Sequence, residues 1–136
     1  MNYENDHIVY KEKYFENGVL ETKTSYKYGK VNGLYERYNE DGIKITEGTR
    51  KDTYKEGIWK IFEGKKGRLI SEINYENNKP NGSAKFYDSK SKSLKEEGQY
   101  LNGKQDGKWK SYDPSGELTK EVEYEKGRQI SEKSYN

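Results

Sequence analysis

The sequence contains no cysteine, so it can form neither a disulfide nor a thiolate metal site. It has one histidine, His7, and only two prolines. A lone imidazole near the start of the chain leaves the serines and threonines without the base that nucleophilic catalysis needs; His7 reads as a solvated terminal residue. No apolar run approaches the roughly 20 residues of a membrane-spanning helix. The opening Met1-Asn2-Tyr3-Glu4-Asn5-Asp6 lacks the basic and apolar blocks of a secretory leader. An excess of one charge is missing too: 26 Lys and Arg face 24 Asp and Glu, for a net +2 over 136 residues. Nucleic-acid binders concentrate basic residues on one face, and the densest basic stretch here, Lys65-Lys66-Gly67-Arg68, reads as a solvated turn. These absences lead us to expect a cytoplasmic chain with no nucleic-acid partner, no membrane and no cofactor.

Aliphatic residues are also scarce. Leu, Ile, Val and Phe number 21, about 15% of the chain, a fraction found in disordered proteins. Two features oppose that reading. The charges nearly cancel, so the chain does not repel itself, and 14 Tyr with 2 Trp supply large buriable surfaces. An ordered chain with a thin core is the expectation.

What the sequence has in abundance is repetition. Gly33, Gly57, Gly82 and Gly107 recur at intervals of 24 or 25 residues. Two residues after each comes Tyr35, Trp59, Ala84 or Trp109, and three further on Tyr38, Phe62, Tyr87 or Tyr112. A carboxylate recurs at Glu47, Glu72, Glu97 and Glu121, and a closing aromatic at Tyr26, Tyr75, Tyr100 and Tyr124, with Arg50 in the remaining slot. The repeats fall at about 8–27, 28–51, 52–76, 77–101 and 102–125, with a half repeat over 126–136, all within one repeat domain spanning 1–136.

Each repeat reads as a β-hairpin. Strands rich in Tyr, Trp, Ile, Thr and Val alternate with period 2, so that Trp59 and Ile61 share a face, as do Leu118, Val122 and Tyr124. Asn17-Gly18, Asp41-Gly42 and Ser115-Gly116 are hairpin turns. Asn32-Gly33, Asn81-Gly82, Asn102-Gly103 and Asp106-Gly107 read as a second set of turns between repeats, where glycine tolerates positive φ. No window sustains helical periodicity. The pattern predicts strands over 8–15, 19–27, 33–39, 43–50, 57–63, 69–76, 82–88, 94–101, 107–113, 117–125 and 128–135. The fold class is therefore all-β: an elongated, single-layer, twisted antiparallel meander of tandem hairpins, with each repeat touching only its neighbours.

The run Tyr100-Leu101-Asn102-Gly103-Lys104-Gln105-Asp106-Gly107-Lys108-Trp109-Lys110-Ser111-Tyr112, followed by Asp113-Pro114-Ser115-Gly116-Glu117-Leu118, resembles the MORN repeat in its longer bacterial variant, over roughly residues 10 to 135. Chains of a few such repeats resemble the YwqK-type antitoxins. That resemblance implies a cytoplasmic immunity protein that binds and blocks a toxin domain and catalyses nothing. A membrane-surface module and a structural scaffold are the alternatives. Ala84 in place of an aromatic, Arg50 in place of a tyrosine and the segment Lys51 to Glu56 depart from the repeat pattern.

The once-per-repeat glutamates read as scaffold, paired with Lys or Arg on a neighbouring strand, and neither a catalytic dyad nor a metal site is expected. Gly33, Gly57, Gly82 and Gly107, with Tyr38, Phe62, Tyr87 and Tyr112, read as the structural repeat. Tyr35, Trp59, Ile61, Ala84 and Trp109 are the candidate partner-binding residues. For Tyr35, Trp59 and Trp109 the sequence leaves core and binding surface open. Ala84 is expected to form a dent between two tryptophans that a partner side chain could enter.

Overall fold

The structure, a computed structural model, describes residues 8–135; His7 lies outside them. It contains eleven strands: β1 (Ile8–Tyr14), β2 (Leu20–Lys27), β3 (Lys30–Tyr38), β4 (Lys44–Lys51), β5 (Tyr54–Glu63), β6 (Arg68–Glu76), β7 (Lys79–Tyr87), β8 (Leu94–Leu101), β9 (Lys104–Tyr112), β10 (Leu118–Glu125) and β11 (Arg128–Ser134). They form one open sheet in chain order, every neighbour antiparallel. The expected all-β hairpin meander is the observed fold, and no helix occurs among the described residues.

The boundaries between repeats differ from the sequence reading. Strands β3, β5, β7 and β9 begin three residues earlier than expected, at Lys30, Tyr54, Lys79 and Lys104. The connecting turns are Tyr28-Gly29, Asp52-Thr53, Asn77-Asn78, Asn102-Gly103 and Lys126-Gly127, each with φ between 49° and 86° at both positions. These are two-residue turns of the mirror-image kind that fits strand twist. Of the four turns expected between repeats, only Asn102-Gly103 is one.

Gly33, Gly57, Gly82 and Gly107 sit inside strands at β-bulges, with φ of 93°, 74°, 97° and 74°. At the first, the register jumps from Thr24↔Tyr35 to Tyr26↔Val31. A bulge and a turn both demand positive φ, so the same Asn-Gly signal served for either. The bulge frees the carbonyl just before the glycine, and a side chain on the preceding strand takes it. Ser25 Oγ donates to the Asn32 carbonyl, Thr49 Oγ1 to Glu56 at 2.7 Å and Asn74 Nδ2 to Asn81 at 2.9 Å. The new turns are also stitched to the preceding repeat: Thr53, Asn78, Gly103 and Gly127 amides donate to the carbonyls of Val31, Lys55, Pro80 and Gln105.

At the opposite edge the turns lie where expected. Asn39 Oδ1 accepts from the amides of Asp41 and Ile43, and Asp113 Oδ1 from those of Ser115 and Glu117. Hydrogen bonds led by the Ser115 hydroxyl hold the Asp113 carboxyl below its ordinary pKa. The turn between β7 and β8, residues 88–93, contains no glycine; it is closed by Asp88, which accepts from the Lys90 and Ser91 amides, while Lys92 takes the positive φ, 64°.

Register places the side chains in rows. On one face runs Thr24, Tyr35, Gly48, Trp59, Ile73, Ala84, Gly98, Trp109 and Val122, each directly opposite or, at the bulges, just beside the next. All four buried apolar residues of the described chain, Trp59, Ala84, Trp109 and Val122, belong to this row. The thin core is therefore a line across the sheet. Tyr124 lies on the same face, but Leu118 does not share it: it pairs with Tyr112 across a bulge that reverses its direction.

Candidate functional site: the aromatic face

Two tryptophans organise the core-bearing face. The Trp59 ring lies directly on Gly48 and the Trp109 ring on Gly98, so that a Cβ at either glycine would fall within the indole. Each indole N–H donates to a carbonyl beside that glycine, Trp59 to Thr49 at 2.9 Å and Trp109 to Gln99 at 3.0 Å. The tryptophan thus fills the gap that the bulge opens, and it satisfies a carbonyl that burial would otherwise strand.

The residue beneath each slot explains which side chain stands in it. The four partners are Thr24 beneath Tyr35, Gly48 beneath Trp59, Ile73 beneath Ala84 and Gly98 beneath Trp109, each 11 residues earlier. A large residue is answered by a small one, which keeps the volume of the layer nearly constant. This corrects the expectation at Ala84. It forms no dent: it faces Ile73 on one side and Gly98, under Trp109, on the other, and it is 0% exposed. The 11-residue spacing was present in the sequence and is the signal that could have shown it.

Of the five candidate contact residues, Trp59, Ala84 and Trp109 are buried in the isolated chain at 4%, 0% and 3% exposure. Tyr35 is half-buried and stacks on Trp59 with centroids 5.6 Å apart. Ile61, on the same face as Trp59, remains 38% exposed. The surface a partner would meet around these residues is therefore made by Tyr35, Ile61 and the closing column, not by the indoles.

The closing column lies on this face, and its cross-strand partners define five equivalent pairs: Tyr26↔Val31, Arg50↔Lys55, Tyr75↔Pro80, Tyr100↔Gln105 and Tyr124↔Gln129. Four combine a tyrosine with a neutral residue. The second places two cations opposite each other. Arg50 lies 4.9 Å from the Tyr35 ring and 5.3 Å from Trp59. Lys55 lies 4.8 Å from Trp59 and 4.9 Å from Tyr75. Cation–π attraction offsets part of their repulsion, by about 0.5–2 kcal/mol per contact. Burial, and then the Arg50 charge, push the Lys55 ammonium pKa down. The buried Arg50 Nε has no hydrogen-bond partner. Around Trp109 the same positions carry Tyr100, edge-on at 5.0 Å, and the neutral Gln105, with Tyr124 and Phe86 completing an uncharged cluster.

The opposite face is a charge ladder. Glu12, Lys23, Glu36, Glu47, Lys60, Glu72, Lys85, Glu97, Lys110, Glu121 and Lys133 follow one another through the register. Signs alternate except at Glu36 and Glu47. There Lys44 bridges both carboxylates, at 2.6 Å and 3.4 Å. Tyr38, Phe62, Tyr87 and Tyr112 are half-buried. The sequence reading missed the tyrosine–glutamate bonds on this face: Tyr87 donates to Glu72 at 2.7 Å, Tyr112 to Glu97 at 2.6 Å and Tyr135 to Glu121 at 3.1 Å. Burial and the Glu72 bond raise the Tyr87 phenol to about 12; for Tyr112 the Glu97 bond leads, to about 12. The repeated glutamates do face lysines in register, yet the short contacts of Glu72, Glu97 and Glu121 are to phenols 14 or 15 residues further along the chain, while Glu47 contacts Lys44.

Of the basic stretch, Lys65-Lys66-Gly67 lies in a turn, as expected, and Arg68 opens β6. Arg68 donates from Nη1 to the Ser89 and Lys90 carbonyls at 2.8 Å each, pinning that turn to the next one. Among the described residues no three His, Asp or Glu side chains gather into a metal-holding group.

Eleven antiparallel strands in chain order, with a register shift in every strand pairing and one aromatic row along a face, define an open-sheet β-hairpin repeat protein. The family described as "MORN repeat variant" matches residues 10–28 and 105–126. That match supports a MORN repeat protein, and the family is a non-enzymatic repeat module whose members generally bind proteins or membranes. A comparison with curated proteins returned no match.

Proposed function

We propose that this chain is a non-catalytic protein-binding module, and that its partner is a toxin domain which it blocks in the cytoplasm. The observation that carries the binding reading is the single layer itself. Only four apolar side chains are buried among the described residues, so Tyr35, Tyr75, Tyr100 and Tyr124 stay half-open on one face. Tyrosine is favoured among interface hot spots, and strands tied by a continuous ladder present it with little ordering cost. The balanced charge ladder on the other face suits solubility and offers no basic patch for a lipid surface. The toxin assignment rests on the resemblance of the repeats to YwqK-type antitoxins.

The test is co-expression with a toxin domain encoded beside this chain. The expected result is rescue of growth and co-purification of the two proteins. A neighbouring protein that is harmless alone, or equally lethal with and without this chain, would overturn the antitoxin reading. Failure to co-purify with any encoded neighbour would overturn the broader protein-binding reading.

A further inference from the structure

We propose that Arg50 and Lys55 together accept one carboxylate side chain from an acidic segment of the partner protein. The proposal rests on the protein-binding reading above and names the chemistry by which that partner is held.

The argument begins with a cost. Like charges placed directly opposite on antiparallel strands destabilise the pair, and Arg50 and Lys55 are direct register partners. Their cations share one indole, each within 5.3 Å of the Trp59 ring centroid. Among the described residues no carboxylate oxygen lies within 4.0 Å of either. The fold does not require this arrangement. The four equivalent pairs solve the same packing problem with a tyrosine and Val31, Pro80, Gln105 or Gln129. One repeat in five therefore carries two uncompensated positive charges on an aromatic floor where the others are neutral.

The geometry fits an anion delivered by a peptide. Nε of Arg50 is buried, and the Arg50 side chain makes no hydrogen bond or ion pair among the described residues. Its terminal nitrogens and Lys55 Nζ are the donors left for a ligand. A planar guanidinium edge matches a carboxylate, and an adjacent ammonium adds a second charge-assisted bond. The surroundings are half-buried Tyr35 and Tyr75, whose rings lie 4.9 Å from the Arg50 guanidinium and from the Lys55 ammonium respectively. These rings give the neighbouring residues of a polypeptide something to pack on, which a free inorganic ion would not use. Desolvation by the partner would strengthen the pair.

The two tryptophans supply the readout. An oligoglutamate peptide with blocked ends is titrated into ¹⁵N-labelled full-length protein, and the two indole N–H resonances are followed. The expected result is a saturable shift of the Trp59 indole, with the Trp109 indole still. The double variant Arg50→Tyr with Lys55→Gln, which installs the residues of the Tyr100↔Gln105 pair, is expected to weaken this binding by about tenfold or more while both indole signals keep their folded dispersion. No shift at Trp59, equal shifts at both indoles, or unchanged binding by the folded double variant would each overturn the proposal. So would a shift produced by inorganic phosphate or by phosphatidylglycerol vesicles and not by the peptide. The titration uses no partner, so its failure removes the carboxylate acceptor and leaves the co-purification result standing, whereas failure to co-purify removes the broader reading whatever the indoles do.

Discussion

The junctions at Gly48–Trp59 and Gly98–Trp109 are two copies of one device, 50 residues apart. In both, a tryptophan lies on a glycine of the preceding strand and its N–H satisfies a carbonyl beside the bulge. They differ in what surrounds the ring. Trp109 is ringed by Tyr100, Tyr124 and Phe86, and Trp59 by Tyr35, Tyr75 and two cations. The shared part is what holds the sheet together. The difference is where one repeat departs from neutrality at a cost in stability, and departures of that kind are where function is sought.

The largest effect should come from removing the rings. Trp109→Ala is expected to cost about 3–5 kcal/mol, the range for large core aromatics. Trp59→Ala should cost as much or more, because losing the ring also leaves Arg50 and Lys55 opposite each other without their cation–π contacts to it. Chemical denaturation of the two variants compares them, and a clearly smaller loss at Trp59 would break the distinction. Next is the pairing of large with small. Ala84→Trp alone should lose about 1–3 kcal/mol by overpacking against Ile73, and adding Ile73→Gly should recover most of it by recreating the Gly48–Trp59 arrangement. A double variant no better than the single one would show that volume complementarity does not set the slot.

On the charged face the effects are smaller and depend on pH. Tyr87 and Tyr112 hold their protons to about 12 in the folded chain against an ordinary value of 10. The folded state therefore binds more protons than the unfolded state between about pH 10 and 12. Stability from these bonds is complete below pH 10 and is lost as pH rises through that window. Tyr112→Phe should cost about 0.5–1.5 kcal/mol at neutral pH and make the alkaline loss shallower; a stability-versus-pH series for the variant and the parent checks both. The smallest change should be a gain. Arg50→Tyr with Lys55→Gln relieves cross-strand repulsion and is expected to stabilise by a few tenths to about 1 kcal/mol, visible as a higher urea midpoint.

The fold was largely legible in the sequence because its period is written in glycine and aromatic residues, and all eleven strands occur in the expected order, four of them beginning three residues early. What misled was local. Asn32-Gly33 and Asn81-Gly82 satisfy the rule for a turn and equally the rule for a bulge, and only pairing with the previous strand separates the two. The actual turns at Asp52-Thr53 and Asn77-Asn78 carry no glycine at all. The aromatic face was legible as a column of residues but not as a surface. Whether Trp59 faces solvent depends on Gly48, one strand away, and that relation appears only when residues 11 apart are compared. The Tyr112–Glu97 bond was hidden for a related reason, since it spans 15 residues and skips the lysine that sits opposite the glutamate in register. Arg50 was visible as a departure from the pattern, but its partner Lys55 became apparent only when β5 was found to begin at Tyr54.

The most direct measurement is a transfer between the two junctions. Tyr100→Arg with Gln105→Lys places the cation pair beside Trp109 in a chain that also carries Arg50→Tyr and Lys55→Gln. On titration with blocked oligoglutamate, the indole shift should move from Trp59 to Trp109. A folded exchanged chain in which neither indole responds, or in which Trp59 still does, would contradict the claim that this pair, set on a shared tryptophan frame, is what confers recognition.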